Sequence, residues 1–304
     1  MKRRNHSVIK ANAVHHIYQN TPKGHLVFYS IKDCLVFFSI VSVVARRYNV
    51  QILGICLMYD HIHLVVFARN PDHLRAFIRD YTSLFTRKYN HWYGFRGSLF
   101  NTPPGCVPKP GHKNARTAIA YLYNNPVECH LYDRAEKARW NFLAYAAEKS
   151  PFSEKIRMDY ARWELRKALK QVKDSSENRI PLEYSMLDRL TKSLSSRELQ
   201  QFVDYVVRQY ACIDYPALIR YYGSYDELVT AVNSNTGSEY DLKEDTYAKD
   251  HRIYPKMIAR LCNRTEKTMR DILACPIEER RRLARELQYG LGASAKEVNK
   301  LLRI

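Results

Sequence analysis

Val50-Gln51-Ile52-Leu53-Gly54-Ile55-Cys56-Leu57-Met58 is an apolar, β-prone run, and the Tyr59-Asp60 that follows suits a tight turn. His61-Ile62-His63-Leu64-Val65-Val66 then alternates with the period of two that marks a strand. Upstream, Ile31 to Tyr48 has helical periodicity, with Asp33 near its start and Arg46 and Arg47 at its end, as the helix dipole favours. Before it, Leu26-Val27-Phe28-Tyr29 reads as a strand after the turn Pro22-Lys23-Gly24, and Val14 to Gln19 as a shorter strand candidate. Downstream, Asn70-Pro71-Asp72 opens a long helix running to Tyr93. Gly97 to Phe100 reads as a short strand, residues 101–113 as a loop rich in Pro, Gly and Lys, and Asn114 to Asn125 as a helix stopped by Pro126. Setting aside the first short run, the order is strand, helix, strand, strand, helix, strand. That is the split βαβ order of a ferredoxin-like fold, with an antiparallel sheet and helices on one face. The expected class is α+β, with this domain spanning residues 1–148.

The rest reads as an all-α C-terminal region. Residues 149–244 form a helical region: Ser153 to Val172 reads as one helix, Pro181 to Tyr210 as two and Asp214 to Asn233 as two more, with polar Ser234 to Glu244 as a linker. Residues 245–304 form a basic helical domain. There Thr265 is a candidate helix cap, Pro276 opens a helix, Gly290-Leu291-Gly292-Ala293-Ser294 breaks it, and Ala295 to Leu302 is the last helix. Helix, glycine turn, helix with basic residues on both sides is equally an ordinary αα-hairpin or a helix-turn-helix that contacts duplex DNA. On the second reading Arg280, Arg281 and Lys296 contact DNA.

Bulk properties narrow the partners. With 304 residues and 46% hydrophobic content the chain has enough apolar material for a core, and its formal charge of +18 makes nucleic acid the first partner to consider. No stretch is long and apolar enough to span a bilayer, so no membrane partner is expected. The basic start Met1-Lys2-Arg3-Arg4-Asn5-His6 has no apolar signal core after it. Seven scattered cysteines without a Cys-x-x-Cys pair argue against a structural zinc site and fit free thiols in a reducing cytoplasm, where a DNA-bound protein would be nucleoid-associated. Twenty-three tyrosines suit stacking on bases and serve equally in a core.

Two local patterns carry chemistry. On a strand, His61 and His63 face the same side about 7 Å apart, so both imidazoles can reach one ion, while Ile62, Leu64 and Val66 turn to the helix-packed core. Alone, His-x-His also fits two histidines on a solvated sheet face. In Tyr121-Leu122-Tyr123-Asn124-Asn125-Pro126, Tyr121 and Asn125 share one helical face. If Pro126 ends the helix there, the Asn125 carboxamide can turn toward a metal near Tyr121. An Asn-Pro helix stop beside a packed tyrosine explains the same run.

Together these residues match a family. Cys56-Leu57-Met58-Tyr59-Asp60-His61-Ile62-His63-Leu64-Val65-Val66 resembles the HUH motif of single-tyrosine transposases, and Tyr121 to Val127 resembles the nucleophile helix of the REP-associated tyrosine transposase branch. The resemblance covers roughly residues 10 to 145. It implies an HUH nuclease domain in which Tyr121 is the nucleophile and His61, His63 and Asn125 hold Mg²⁺ or Mn²⁺. It further implies a metal-dependent endonuclease and transposase that nicks and rejoins single-stranded DNA beside a hairpin through a 5′-phosphotyrosine link. Dimeric and monomeric members both occur, so a homodimer stays open. Tyr59-Asp60 stands where the family commonly has Pro followed by Asn or Glu, and Glu128 where it often has a basic residue.

Arg75, Arg79, Arg87 and Lys88 on the long helix, and Lys109 and Lys113 before the tyrosine helix, are the candidate phosphate contacts. A solvated helical face explains Arg75 and Arg79 as well. The alternative function is a domesticated, non-catalytic DNA-binding regulator with the same fold. A relaxase would carry a third histidine in the motif, and a replication protein a helicase domain; neither is found. RNA binding on such a sheet would place aromatic residues where the histidines stand. No Gly-x-x-x-x-Gly-Lys loop is present, so an energy source from bound nucleotide is not expected.

Overall fold

A computed structural model of the protein describes residues 8–234 and 250–304. The basic run Met1 to His6 and residues 235–244 of the expected linker lie outside the described residues. Strands β1 (Ala13–Asn20), β2 (Gln51–Leu57), β3 (His61–Ala68) and β4 (Gly105–Pro108) form one antiparallel sheet in the order β2-β3-β1-β4. Helix α1 (Ile31–Tyr48) joins β1 to β2, and α2 (Pro71–Tyr93) joins β3 to β4. This is the ferredoxin-like connectivity, and the class is α+β. Helix α1 begins where Asp33 accepts hydrogen bonds from the Ser30 backbone and hydroxyl, and ends where Asn49 turns left-handed.

Two strand assignments need correcting. The first strand of the fold is Ala13–Asn20, and Leu26 to Tyr29 is not a strand at all. The Leu26 N–H donates to Lys300 O and the Val27 N–H to Tyr59 O, so this apolar run is held by the chain's last helix and by the β2–β3 turn. The fourth strand is Gly105–Pro108, within the expected loop, and Gly97 to Phe100 is irregular. Gly105 permits that strand. The Tyr18 ring lies where its Cβ would be, with the ideal position 2.1 Å from the ring's Cζ.

The sheet has two covered faces. Ile17, Ile55, Ile62, Leu64 and Val66 pack against α1 and α2 in the larger core. On the other face Leu53, Cys56 and Val65 pack against Ile119, Leu122 and Tyr123 of α3 (Gly111–Glu128). The histidine side of the sheet is therefore roofed by α3 and is not the solvated face that His-x-His alone would also fit. Gly54, beside a bulge in β2, lets α3 approach: a Cβ there would lie 3.0 Å from a Leu122 methyl. The Tyr123 hydroxyl donates to Leu53 O at 3.0 Å across the same contact. Pro126 does not stop α3, which continues to Glu128. Pro126 is buried, and the N–H groups of Cys129 and Leu131 close the last turn on Asn125 O and Pro126 O.

The second half is helical among the described residues: α4 (Trp163–Glu177), α5 (Tyr184–Thr191), α6 (Ser196–Gln209), α7 (Tyr215–Arg220), α8 (Tyr225–Asn233), α9 (Ile253–Thr265), α10 (Met269–Ala274), α11 (Ile277–Leu291) and α12 (Ala295–Leu302). The helix expected from Ser153 starts only at Trp163, because Phe152 N and the Ser153 hydroxyl both donate to Asp204 of α6. Thr265 ends α9, its hydroxyl donating back to Leu261 O, and Thr268 with Asp271 caps the next helix instead. Residues of α4–α6 and α9–α12 share the apolar core of α1 and α2, while α7 packs on β2 and α8 on α3. No helix among the described residues is long and apolar enough to cross a membrane.

Candidate active site

β3 presents His61 and His63 to α3, and neighbouring β1 places His16 beside them. In the register Tyr18 lies opposite His63 and Asn20 opposite His61, so His16, Tyr18, His61 and His63 share a face. His63 is 2% exposed. Its Nδ1 is 2.9 Å from His16 Nε2, with the two rings stacked at 5.1 Å. Burial lowers both pKa values. His16 falls from 6.5 to about 3 through desolvation and the nearby positive charge of Lys109. His63 falls well below the usual range through desolvation and then its neighbours His61 and His16. Both rings are thus neutral near pH 7, the state in which an imidazole nitrogen can donate its lone pair to a metal.

His61 Nδ1 lies 2.7 Å from Asp60 Oδ1, and its Nε2 lies 3.4 Å from Asn125 Oδ1. The Asn125 carboxamide also hydrogen-bonds His63, and its amide nitrogen donates to Tyr121 O at 3.2 Å. Since α3 runs through Pro126, Asn125 meets His61 from a helical position one turn after Tyr121. The Tyr121 ring stands edge-on to His63 at 5.5 Å and to His16 at 5.7 Å. Tyr123 faces away, its hydroxyl committed to β2 and its pKa raised by burial. Side-chain selection between the two tyrosines thus follows the helix rotation.

Two imidazoles and one carboxamide oxygen therefore converge. Among the described residues no group of three or more His, Cys, Asp or Glu side chains is placed to hold a metal. The donor set is instead N, N and amide O, which suits a borderline-to-hard divalent ion such as Mn²⁺ or Mg²⁺. Asp60 at His61 and His16 at His63 each engage the ring nitrogen on the far side, the usual second contact of a metal-binding imidazole.

The phosphate-contact candidates divide. Lys109 is at the site, close enough to act on His16, and exposed Lys113 sits in the first turn of the tyrosine helix. Arg75, Arg79, Arg87 and Lys88 ride on α2, across the sheet from the histidines, where Arg75 pairs with Asp72, Arg79 with Asp80 and Lys88 with Glu183. In the C-terminal hairpin, Arg280 donates to Leu302 O at 2.7 Å and Arg281 pairs with Glu278, while Lys296 is exposed. Sequence reasoning missed His16, Asp60 as a carboxylate, His251 and Lys300. The His15-His16 pair on a strand was a visible signal for the first; nothing local marks the last two.

Fold and site together define a ferredoxin-like domain whose central strand and one covering helix assemble two histidines, an asparagine and a tyrosine. No protein-family model matches the chain, and a search of curated proteins finds no match. Among solved structures it is similar to a REP-associated tyrosine transposase bound to a REP hairpin, at 12% identity and a TM-score of 0.37, over 46% of this chain and 81% of that one.

Proposed function

We propose that the protein is a transposase-like endonuclease that nicks and rejoins single-stranded DNA through Tyr121, with Mg²⁺ or Mn²⁺ held by His61, His63 and Asn125. One observation carries the reading: His61 Nε2, His63 and Asn125 Oδ1 meet beside the Tyr121 ring. A bound divalent ion would supply Lewis-acid polarisation of the scissile phosphate. The chain's own residues do the rest. Lys109 and Lys113 offer cations for the DNA backbone on the approach to α3. His16 and Asp60 hold the two ligand rings in orientation. Tyr121 Oη forms a bond to phosphorus while the bond to the 3′-oxygen breaks, and the proton lost by the phenol balances the one gained by the 3′-hydroxyl. The product is a 5′-phosphotyrosine, and attack by a 3′-hydroxyl reverses the step without an external energy source.

Hairpin-bearing single-stranded oligonucleotides are the substrate to test first, by the motif resemblance. Incubated with Mn²⁺ or Mg²⁺, they should be nicked by the wild-type protein, and a chelator, His61→Ala or His63→Ala should abolish nicking. Nicking that persists in both histidine variants sinks the metal assignment. Tight binding without nicking under any metal would favour the non-catalytic regulator.

A further inference from the structure

Asp60 is 2% exposed, and among the described residues His61, His251 and Lys300 lie against its carboxylate. His61 Nδ1 is 2.7 Å from Oδ1, His251 Nε2 is 3.8 Å from the same oxygen, and Lys300 Nζ is 3.6 Å from Oδ2. His61 is the neighbour in sequence; His251 and Lys300 come from the far end of the chain. Their placement is built. His251 is fully buried, its N–H donates to Cys129 O just past the tyrosine helix, and its ring meets His61 at 6.1 Å. Lys300 is buried on α12, and Gly24 makes room for it: a Cβ at Gly24 would lie 2.9 Å from Lys300 Cε. Helix α12 is pinned to the first domain by Leu26 N–H to Lys300 O, the Tyr29 hydroxyl to Leu301 O, and Arg303 to Leu26 O.

We infer that Lys300, with His251, is a positioning residue of the metal site: it holds the Asp60 carboxylate against His61 Nδ1, so that His61 presents Nε2 to the metal and Asn125. A buried carboxylate settles where its cations are, and an imidazole whose Nδ1–H donates to that carboxylate has its remaining lone pair at Nε2. The C-terminal helices are then part of the nuclease centre. This rests on the proposed metal site.

The test is Mn²⁺ binding to the full-length protein, followed by the electron paramagnetic resonance of the free ion, with no DNA present. Lys300→Met should raise the Mn²⁺ dissociation constant about tenfold or more, while Lys300→Arg, which keeps the cation, should stay within about threefold of wild type. Asn299→Ala, an exposed change on the same helix, should leave it unchanged. Wild-type affinity in a folded Lys300→Met protein overturns the inference while leaving the metal site standing, provided His61→Ala still loses Mn²⁺. If wild type binds no Mn²⁺, both fall. Should Lys300→Met not melt cooperatively, Lys300→Gln is judged by the same criteria. Long-range ¹⁵N NMR of the wild-type His61 ring gives a variant-free check: protonation at Nδ1 is expected, and protonation at Nε2 overturns the inference.

Discussion

His16 Nε2 and His63 Nδ1 lie 2.9 Å apart across the β1–β3 pair, 47 residues apart in the chain. The contact sets the orientation of one candidate ligand and ties two buried imidazoles into the stability of the fold.

A first prediction concerns pH. The folded protein holds His16 near a pKa of about 3, against 6.5 in the ordinary range, and His63 is lowered too. The unfolded chain therefore takes up protons first as pH falls. The stability these rings contribute is fully present above about pH 6.5 and is lost as pH falls toward 3. Each such histidine steepens the loss by up to about 1.4 kcal/mol per pH unit. Urea melts at pH 7.5, 6 and 5 should show this slope, and His16→Phe should flatten it. Parallel curves for the two proteins would contradict the burial argument.

Tyr123 should matter for stability and not for chemistry. Removing its hydroxyl leaves Leu53 O in the β2 bulge without its 3.0 Å donor. Tyr123→Phe should cost about 1–3 kcal/mol in denaturant melts, with nicking per folded molecule retained. A loss of nicking with an unchanged melt would invert the roles assigned to the two tyrosines.

Gly105 should tolerate no side chain. Its missing Cβ is the space the Tyr18 ring occupies, so Gly105→Ala should force Tyr18 off β4 and destabilise by about 1–3 kcal/mol. Because Tyr18 sits 5.8 Å from the His16 ring, Mn²⁺ affinity should fall as well. Wild-type melting of Gly105→Ala would show that the ring moves freely.

Much of this architecture is legible in the chain. Helix α1 and α12 have local stop and start signals, and both agree in their bounds with the structure. His61 and His63 are marked by alternation, and Tyr121 by its place in the run Tyr121 to Val127 that carries the family resemblance. What was misread depended on partners distant in sequence. Gly105–Pro108 has weak strand propensity and is a strand because β1 pairs with it. Leu26 to Tyr29 looks like a strand, but its N–H groups go to Lys300 and Tyr59. Pro126 is a helix stop by local rules, yet the helix runs two residues past it to Glu128. Asp60 reads as a turn residue until His251 and Lys300 arrive beside it.

The central claim is that Tyr121 is the nucleophile. The direct measurement is mass-spectrometric mapping of the covalent adduct formed when the protein is trapped on a hairpin-bearing single-stranded oligonucleotide with Mn²⁺. The DNA-linked peptide should carry its 5′-phosphate on Tyr121, and Tyr121→Phe should form no adduct. A phosphate mapped to Tyr123 or to another residue, or an adduct that survives in Tyr121→Phe, would contradict the claim.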